Sequence, residues 1–203
     1  MVALQVVAFL IWIYVLLILS RTNLSFFNFL VGSVGLFFFL MLWIQPLITR
    51  PLTMAVTAAA GVLGNWFNMY DAYYEYAMLF IPKDTATVSL YIDYECSGVI
   101  EIMAFSCLLW FFPLYNTFEK IAIDCIGIIV IFTANIMRLF IICLLVYCYG
   151  NDIFYFAHTI FGRIIFYIFS IILYFYVFTR PHIIRQKVGG FQYGFSDTSK
   201  QNR

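Results

Sequence analysis

Long apolar runs separated by short polar intervals constrain this chain more than any single residue does. Six such runs stand out, at about 2–19, 24–44, 52–69, 97–114, 121–149 and 156–178. At ~1.5 Å of rise per residue, about 20 apolar residues in a helix cross ~30 Å of hydrocarbon. A surface that water must solvate cannot be built from a chain that is 65% hydrophobic and only 10% charged, with mean hydropathy +0.97. The sequence therefore predicts an all-α polytopic membrane protein, a bundle of about six transmembrane helices. The first run has no Lys or Arg before it and no small-x-small cleavage site after it, so it reads as an uncleaved helix. The third run, placed after Arg50-Pro51, is rich in Ala and Gly and predicts close helix packing.

Residues 1–180 form a single transmembrane domain in this reading, and 181–203 a basic, polar cytoplasmic tail. An external polar loop over about 70–95 interrupts the apolar pattern with Asp71, Glu75, Lys83, Asp84, Asp93 and Glu95. Pro82-Lys83-Asp84 reads as a turn, and the β-branched alternation over 85–92 as a short strand, together a hairpin-like extracytoplasmic cap. With the tail inside, Arg50, Lys120, Arg180, Arg185, Lys187, Lys200 and Arg203 fall on the cytoplasmic side, and Arg21 and Lys83 outside. Arg21 is the discordant charge. A net charge of +1 without a basic stripe argues against nucleic acid as a partner.

Ionisable groups inside spans are costly and mark functional sites by default. Here they are Glu101, Asp124, Arg138 and Arg163, with His158 at the mouth of the sixth run. The boundary stretch Asp93-Tyr94-Glu95-Cys96-Ser97-Gly98-Val99-Ile100-Glu101 sets a cysteine at the start of a helix, where orphan N–H groups favour a thiolate. The other cysteines, at 107, 125, 143 and 148, lack Cys-x-x-Cys spacing and read as small apolar residues. The predicted topology carries Cys96, Arg138 and His158 to the outer face together. A thiolate attacking a carbonyl makes an oxyanion, a permanent cation lowers that barrier, and histidine moves protons near neutral pH.

Glu95-Cys96-Ser97-Gly98-Val99, then Ala134-Asn135-Ile136-Met137-Arg138-Leu139, then His158-Thr159-Ile160-Phe161-Gly162, in that order on successive apolar helices, resemble the exosortase/archaeosortase family of membrane transpeptidases. The compact chain is most similar to its Gram-positive branch, exosortase G. The resemblance covers about residues 93–180; the earlier runs agree only in being hydrophobic. It implies Cys96 as nucleophile, Arg138 as electrostatic stabiliser and His158 as proton shuttle, with Asn135, Ser97 and Gly98 in support. It implies as partners exported proteins bearing a C-terminal transmembrane sorting signal, cleaved through a Cys96 thioester at the outer face of a bacterial plasma membrane. The acyl group then passes to water or an acceptor, for which a lipid- or glycan-linked amine is one chemistry.

Blander readings stand beside these roles. Arg138 could pair with Glu101 or Asp124, and Arg163 could snorkel. Ser97 fits helix capping better than nucleophilic attack, because no Gly-x-Ser-x-Gly turn surrounds it. Gly98 reads as a close-packing position, and Asn135 as a residue orienting Arg138. Neither a zinc site, which lacks a closely spaced ligand pair, nor any other cofactor is expected. The opposing functional class is a non-enzymatic membrane scaffold or transporter subunit with structural buried charges, although matching broken halves are absent from the sequence.

Overall fold

The computed structural model describes residues 2–22, 24–82, 87–94 and 96–181. Lys83 to Ala86, Glu95 and the tail from His182 onward, with Arg185, Lys187, Lys200 and Arg203, lie outside the described residues. The predicted turn and the start of the predicted strand fall there too.

Two helices open the chain, α1 (Val2–Arg21) and α2 (Ser25–Trp43), and α3 (Gln45–Phe67) follows after Ile44 alone. Trp12 Nε1 donates to Val31 O at 2.9 Å, Phe9 packs edge-on against Phe39, and Trp43 Nε1 lies 3.5 Å from Gln5 Oε1. These contacts run α1 and α2 antiparallel, so the beginning of α1 lies beside the end of α2. The expected boundary at Arg50-Pro51 is not there; Pro51 sits inside α3, and Pro46 occupies its first turn. Within the same helix Thr49, Thr53 and Thr57 turn their hydroxyls back on the helix backbone, donating to Gln45 O, Arg50 O and Thr53 O.

The polar interval folds as a three-stranded antiparallel sheet rather than a hairpin: β1 (Asp71–Tyr73), β2 (Met78–Ile81) and β3 (Val88–Tyr91), in that spatial order. Alternation puts Leu79, Ile81 and Leu90 on one buried face, against Val56 and Ala60 of α3 and against Leu139, Ile142 and Val146 further along the chain. The small residues of α3 serve this sheet. A Cβ at Gly61 would strike Ala72, and one at Gly64 the Tyr70 ring. Tyr70 donates to Ala60 O at 2.6 Å, and burial pushes its phenol well above the usual range, so it stays neutral.

The fourth run forms only a 13-residue helix, α4 (Val99–Phe111), before α5 (Thr117–Tyr149) and the last helix, α6 (Phe154–Thr179). Among the described residues, five helices are long and apolar enough to cross a membrane, α1, α2, α3, α5 and α6, in keeping with a bundle of about six, and the fourth apolar run is the shorter α4. About four-fifths helical, the chain is an all-α polytopic membrane protein. In α6, π turns replace α turns at Ala157–Phe161 and Phe175–Thr179. An Asn116/Glu119 capping box starts α5.

Gly32 meets the Phe111 ring and Phe29 meets Phe112, so α2 runs antiparallel to α4 as well. At that end Lys120 Nζ donates to Trp110 O and Tyr115 Oη to Val177 O. The turn after Arg21, the start of α5 and the end of α6 therefore gather at one end of the bundle, and Cys96 lies at the other. The predicted topology separated Arg21 from Lys120; the helix contacts bring them to the same end.

Candidate active site

Cys96 precedes α4 rather than lying in its first turn. Its N–H donates to Asp93 O at 3.2 Å and to Asp93 Oδ1 at 3.1 Å, a side-chain-supported turn. Ser97 Oγ donates to Tyr94 O at 3.1 Å and accepts from Val99 N–H at 3.4 Å, so Ser97 ties the turn to the helix from just outside the cap position. That position belongs to Gly98 at φ +80°. A Cβ there would meet Asn135 only at ordinary contact distance, 3.6 Å, so the glycine answers a left-handed backbone rather than the close packing expected.

Three side chains converge on this turn. Asn135 and Arg138 are three apart on α5 and share a face. Asn135, fully buried, donates from Nδ2 to Cys96 O at 2.7 Å, so it holds the cysteine's backbone, not the arginine it was expected to orient. Arg138 Nη2 donates to Cys96 Sγ at 3.5 Å, with its guanidinium 5.9 Å from the Phe166 ring centroid. From α6, His158 Nε2 lies 3.6 Å from the same sulfur. The π turn that carries His158 inserts a residue into the helix and re-aims the side chains that follow, and Phe154 stacks on the imidazole at 5.8 Å and 6°. Cys96 and Arg138 are 4% and 5% exposed, so the sulfur and the guanidinium meet in a site largely shielded from water.

A cavity of about 250 Å³ opens beside the sulfur, lined by Ile100, Glu101, Arg138, His158, Arg163 and Tyr167 among others. Glu101 Oε2 and Arg138 Nε are buried there without a hydrogen-bond partner. Asp124, the other carboxylate considered for Arg138, is instead engaged by Ser106 Oγ at 2.7 Å and Trp110 Nε1 at 3.3 Å, toward the opposite end of the bundle. From the sequence, Asp93 has no assigned role and Arg163 reads as a structural, snorkelling cation about a turn from His158. An Asp three residues before a cysteine is the local signal for the first. For Arg163 only the three-dimensional cavity reveals the placement. Among the described residues, no group of three His, Cys, Asp or Glu side chains could hold a metal.

The fold is a polytopic helical bundle that sets one cysteine between a guanidinium and an imidazole. The pattern described as "Transmembrane exosortase (Exosortase_EpsH)" matches residues 1–176, nearly the whole chain. The chain belongs to the exosortase family of membrane transpeptidases. No curated protein and no solved structure matches it.

Proposed function

We propose that this protein cleaves the C-terminal sorting signals of exported proteins and transfers the trimmed chain to an acceptor, through a thioester on Cys96. The observation that carries this reading is the sulfur itself, held 3.5 Å from Arg138 Nη2 and 3.6 Å from His158 Nε2. His158 takes the thiol proton as Sγ attacks the scissile carbonyl, and Arg138 stabilises first the thiolate and then the oxyanion. Collapse breaks the C–N bond, and His158 returns the proton to the leaving amine, which departs with the membrane helix of the sorting signal. An acceptor amine, lipid- or glycan-linked, or water then attacks the thioester, gives its proton to His158 and regenerates the thiol.

Charge distribution supports an outward-facing site. Arg21, Lys120 and Arg180 gather at the end of the bundle remote from Cys96, which the positive-inside rule assigns to the cytoplasm. This accords with a substrate that has already been exported.

The test is co-expression with a tail-anchored sorting-signal protein, followed by mass measurement of its C-terminus. The wild type should release the C-terminal helix; Cys96→Ala should not, and Cys96→Ser should slow release by orders of magnitude because an alcohol is a poorer nucleophile. Undiminished processing by Cys96→Ala would return the protein to the scaffold or transporter class.

A further inference from the structure

We propose that α3 does not cross the membrane but lies in its plane, at the interface on the Cys96 side, with the stripe Leu47, Pro51, Ala55, Ala58, Val62 and Trp66 against lipid. By length and composition α3 qualifies as a span. Its contacts set its two ends at similar depth. Gly32 of α2 meets Phe111 of α4, and α2 and α4 run antiparallel from there. Equal numbers of residues on each helix then bring Gln45 level with Gly98, and Gln45 and Pro46 do share a cavity with Asp93 and Tyr94. The other end of α3 reaches α5 through Phe67, whose ring lies 5.4 Å from that of Phe140. Phe140 is only five residues beyond Asn135, which bonds to Cys96 O; five residues of helix rise ~7.5 Å. A helix of 23 residues is ~35 Å long. Even with ~10 Å of side-chain reach, α3 climbs far less than its length and cannot span ~30 Å of hydrocarbon.

The surface of α3 gives an independent argument. One face carries the buried residues Thr53, Val56, Thr57, Ala60, Gly61 and Gly64, under the sheet and α5. The opposite face is exposed at Leu47, Pro51, Ala55, Ala58, Val62 and Trp66, all apolar, and Asn65, near the helix end, is a polar residue exposed beside them. Water would penalise that stripe along the whole helix, whereas the boundary between headgroups and acyl chains accommodates it. Trp43 and Trp66, near its two ends, are interfacial residues by type.

The crossing helices are then α1, α2, α4, α5 and α6. α4 alone rises only ~20 Å over its 13 residues, so the crossing it makes is completed by the turns at its two ends, from Cys96 on one side to Trp110, whose carbonyl Lys120 takes, on the other. Five crossings put the N-terminus on the Cys96 side and Arg21 beside Lys120, which removes Arg21 as a discordant charge, while Arg50, which lines a cavity with Asp93 and Tyr94, moves from the expected cytoplasmic side to the Cys96 side. The helix also fixes the site near the depth at which a membrane-anchored substrate leaves the bilayer.

The test reads topology and is independent of processing activity. Single cysteines at Leu47, Ala55, Val62 and Trp66, in a chain whose native cysteines are replaced by alanine, are spin-labelled in vesicles of phosphatidylglycerol and phosphatidylethanolamine. Oxygen and nickel-chelate accessibilities then give their depths. The expected result is a common shallow depth at all four positions. A profile deepest at Ala55 and shallow at both ends means a span; uniformly high nickel access means a helix in water; dipolar broadening with low access to both probes means a second copy of the chain. Each of these three overturns the proposal. Thr22→Cys in a chain that keeps Cys96 but has the exposed Cys125 and Cys148 replaced by serine supplies the second measurement: it should resist an impermeant maleimide in intact cells and label after permeabilisation. Labelling in intact cells restores the even number of crossings and sinks the proposal.

Discussion

Exchange of Arg138 for lysine separates charge from geometry at the residue that touches the sulfur. Lysine keeps the positive charge but loses the planar fork that reaches Sγ while lying on Phe166. Arg138→Lys should therefore retain a trace of processing and Arg138→Met none, with a loss for lysine on the order of 10²-fold, as for removal of one oxyanion donor. Equal activity of the two variants in single-turnover release of the sorting helix would deny the cation a role. His158→Gln should cost ~10²–10⁴-fold, the usual scale of a lost general base. Raising the pH should partly rescue that variant, because hydroxide then generates the thiolate that His158 otherwise provides; a loss that pH leaves untouched would assign the histidine a structural role. Asn135→Ala leaves Cys96 O without its side-chain donor and should lower stability by about 1–3 kcal/mol, read from the thermal midpoint in detergent. Arg138 stood out in the sequence as an expensive residue at membrane depth, whereas Cys96 and His158 stood out only through the ordered motifs that accompany it. Asp93 did not stand out, because its work is a local backbone turn that any loop aspartate could perform.

At the scale of elements, apolar runs announce helices clearly but do not reveal which way those helices point. α2 and α3 read in sequence as two crossings, and the in-plane placement proposed for α3 rests on contacts at both its ends, Phe67 with Phe140 and Gln45 beside Asp93. The π turn around His158 was equally hidden, since nothing in Ala157-His158-Thr159-Ile160-Phe161 departs from helical composition. Gly98 was visible but misread: its demand is a left-handed backbone, which Gly98→Ala would strain by about 1–2 kcal/mol. That strain falls on the turn carrying Cys96, so processing should fall more than the thermal midpoint suggests; a variant with wild-type processing would show that the turn tolerates another geometry. Tyr70 offers a test at the sheet. Its phenol is pushed up by burial, so the bond to Ala60 O is kept below the ordinary phenol pKa of ~10, and its contribution is lost as pH climbs above that value. Tyr70→Phe should lower the thermal midpoint at pH 8 and narrow its deficit at pH 11; a constant deficit would remove ionisation from the account.

Two cores meet at α5 when the molecule is taken whole. One joins α3, the sheet and the stretch of α5 from Leu139 to Val146; the other joins Phe105 and Leu109 of α4 to Ile131 and Ala134 of α5 and Phe166 of α6. Asn135 and Arg138 fall at the seam, so the cysteine turn is clamped by the sheet layer from one side and by the bundle from the other. Cys96 itself belongs to the sheet-side core. Two truncations of similar severity should then have different consequences. Leu79→Ala, at a fully buried position of β2, and Phe105→Ala, at a fully buried position of α4, each open a cavity that costs about 2–5 kcal/mol. Only the first loosens the layer over the sulfur. Alkylation of Cys96 by iodoacetamide, followed by peptide mass, should accelerate in Leu79→Ala and stay near the wild-type rate in Phe105→Ala, although both melt earlier. Equal acceleration would mean that the bundle and the sheet open as one unit, and that the site is held by global stability rather than by the cap seated on it.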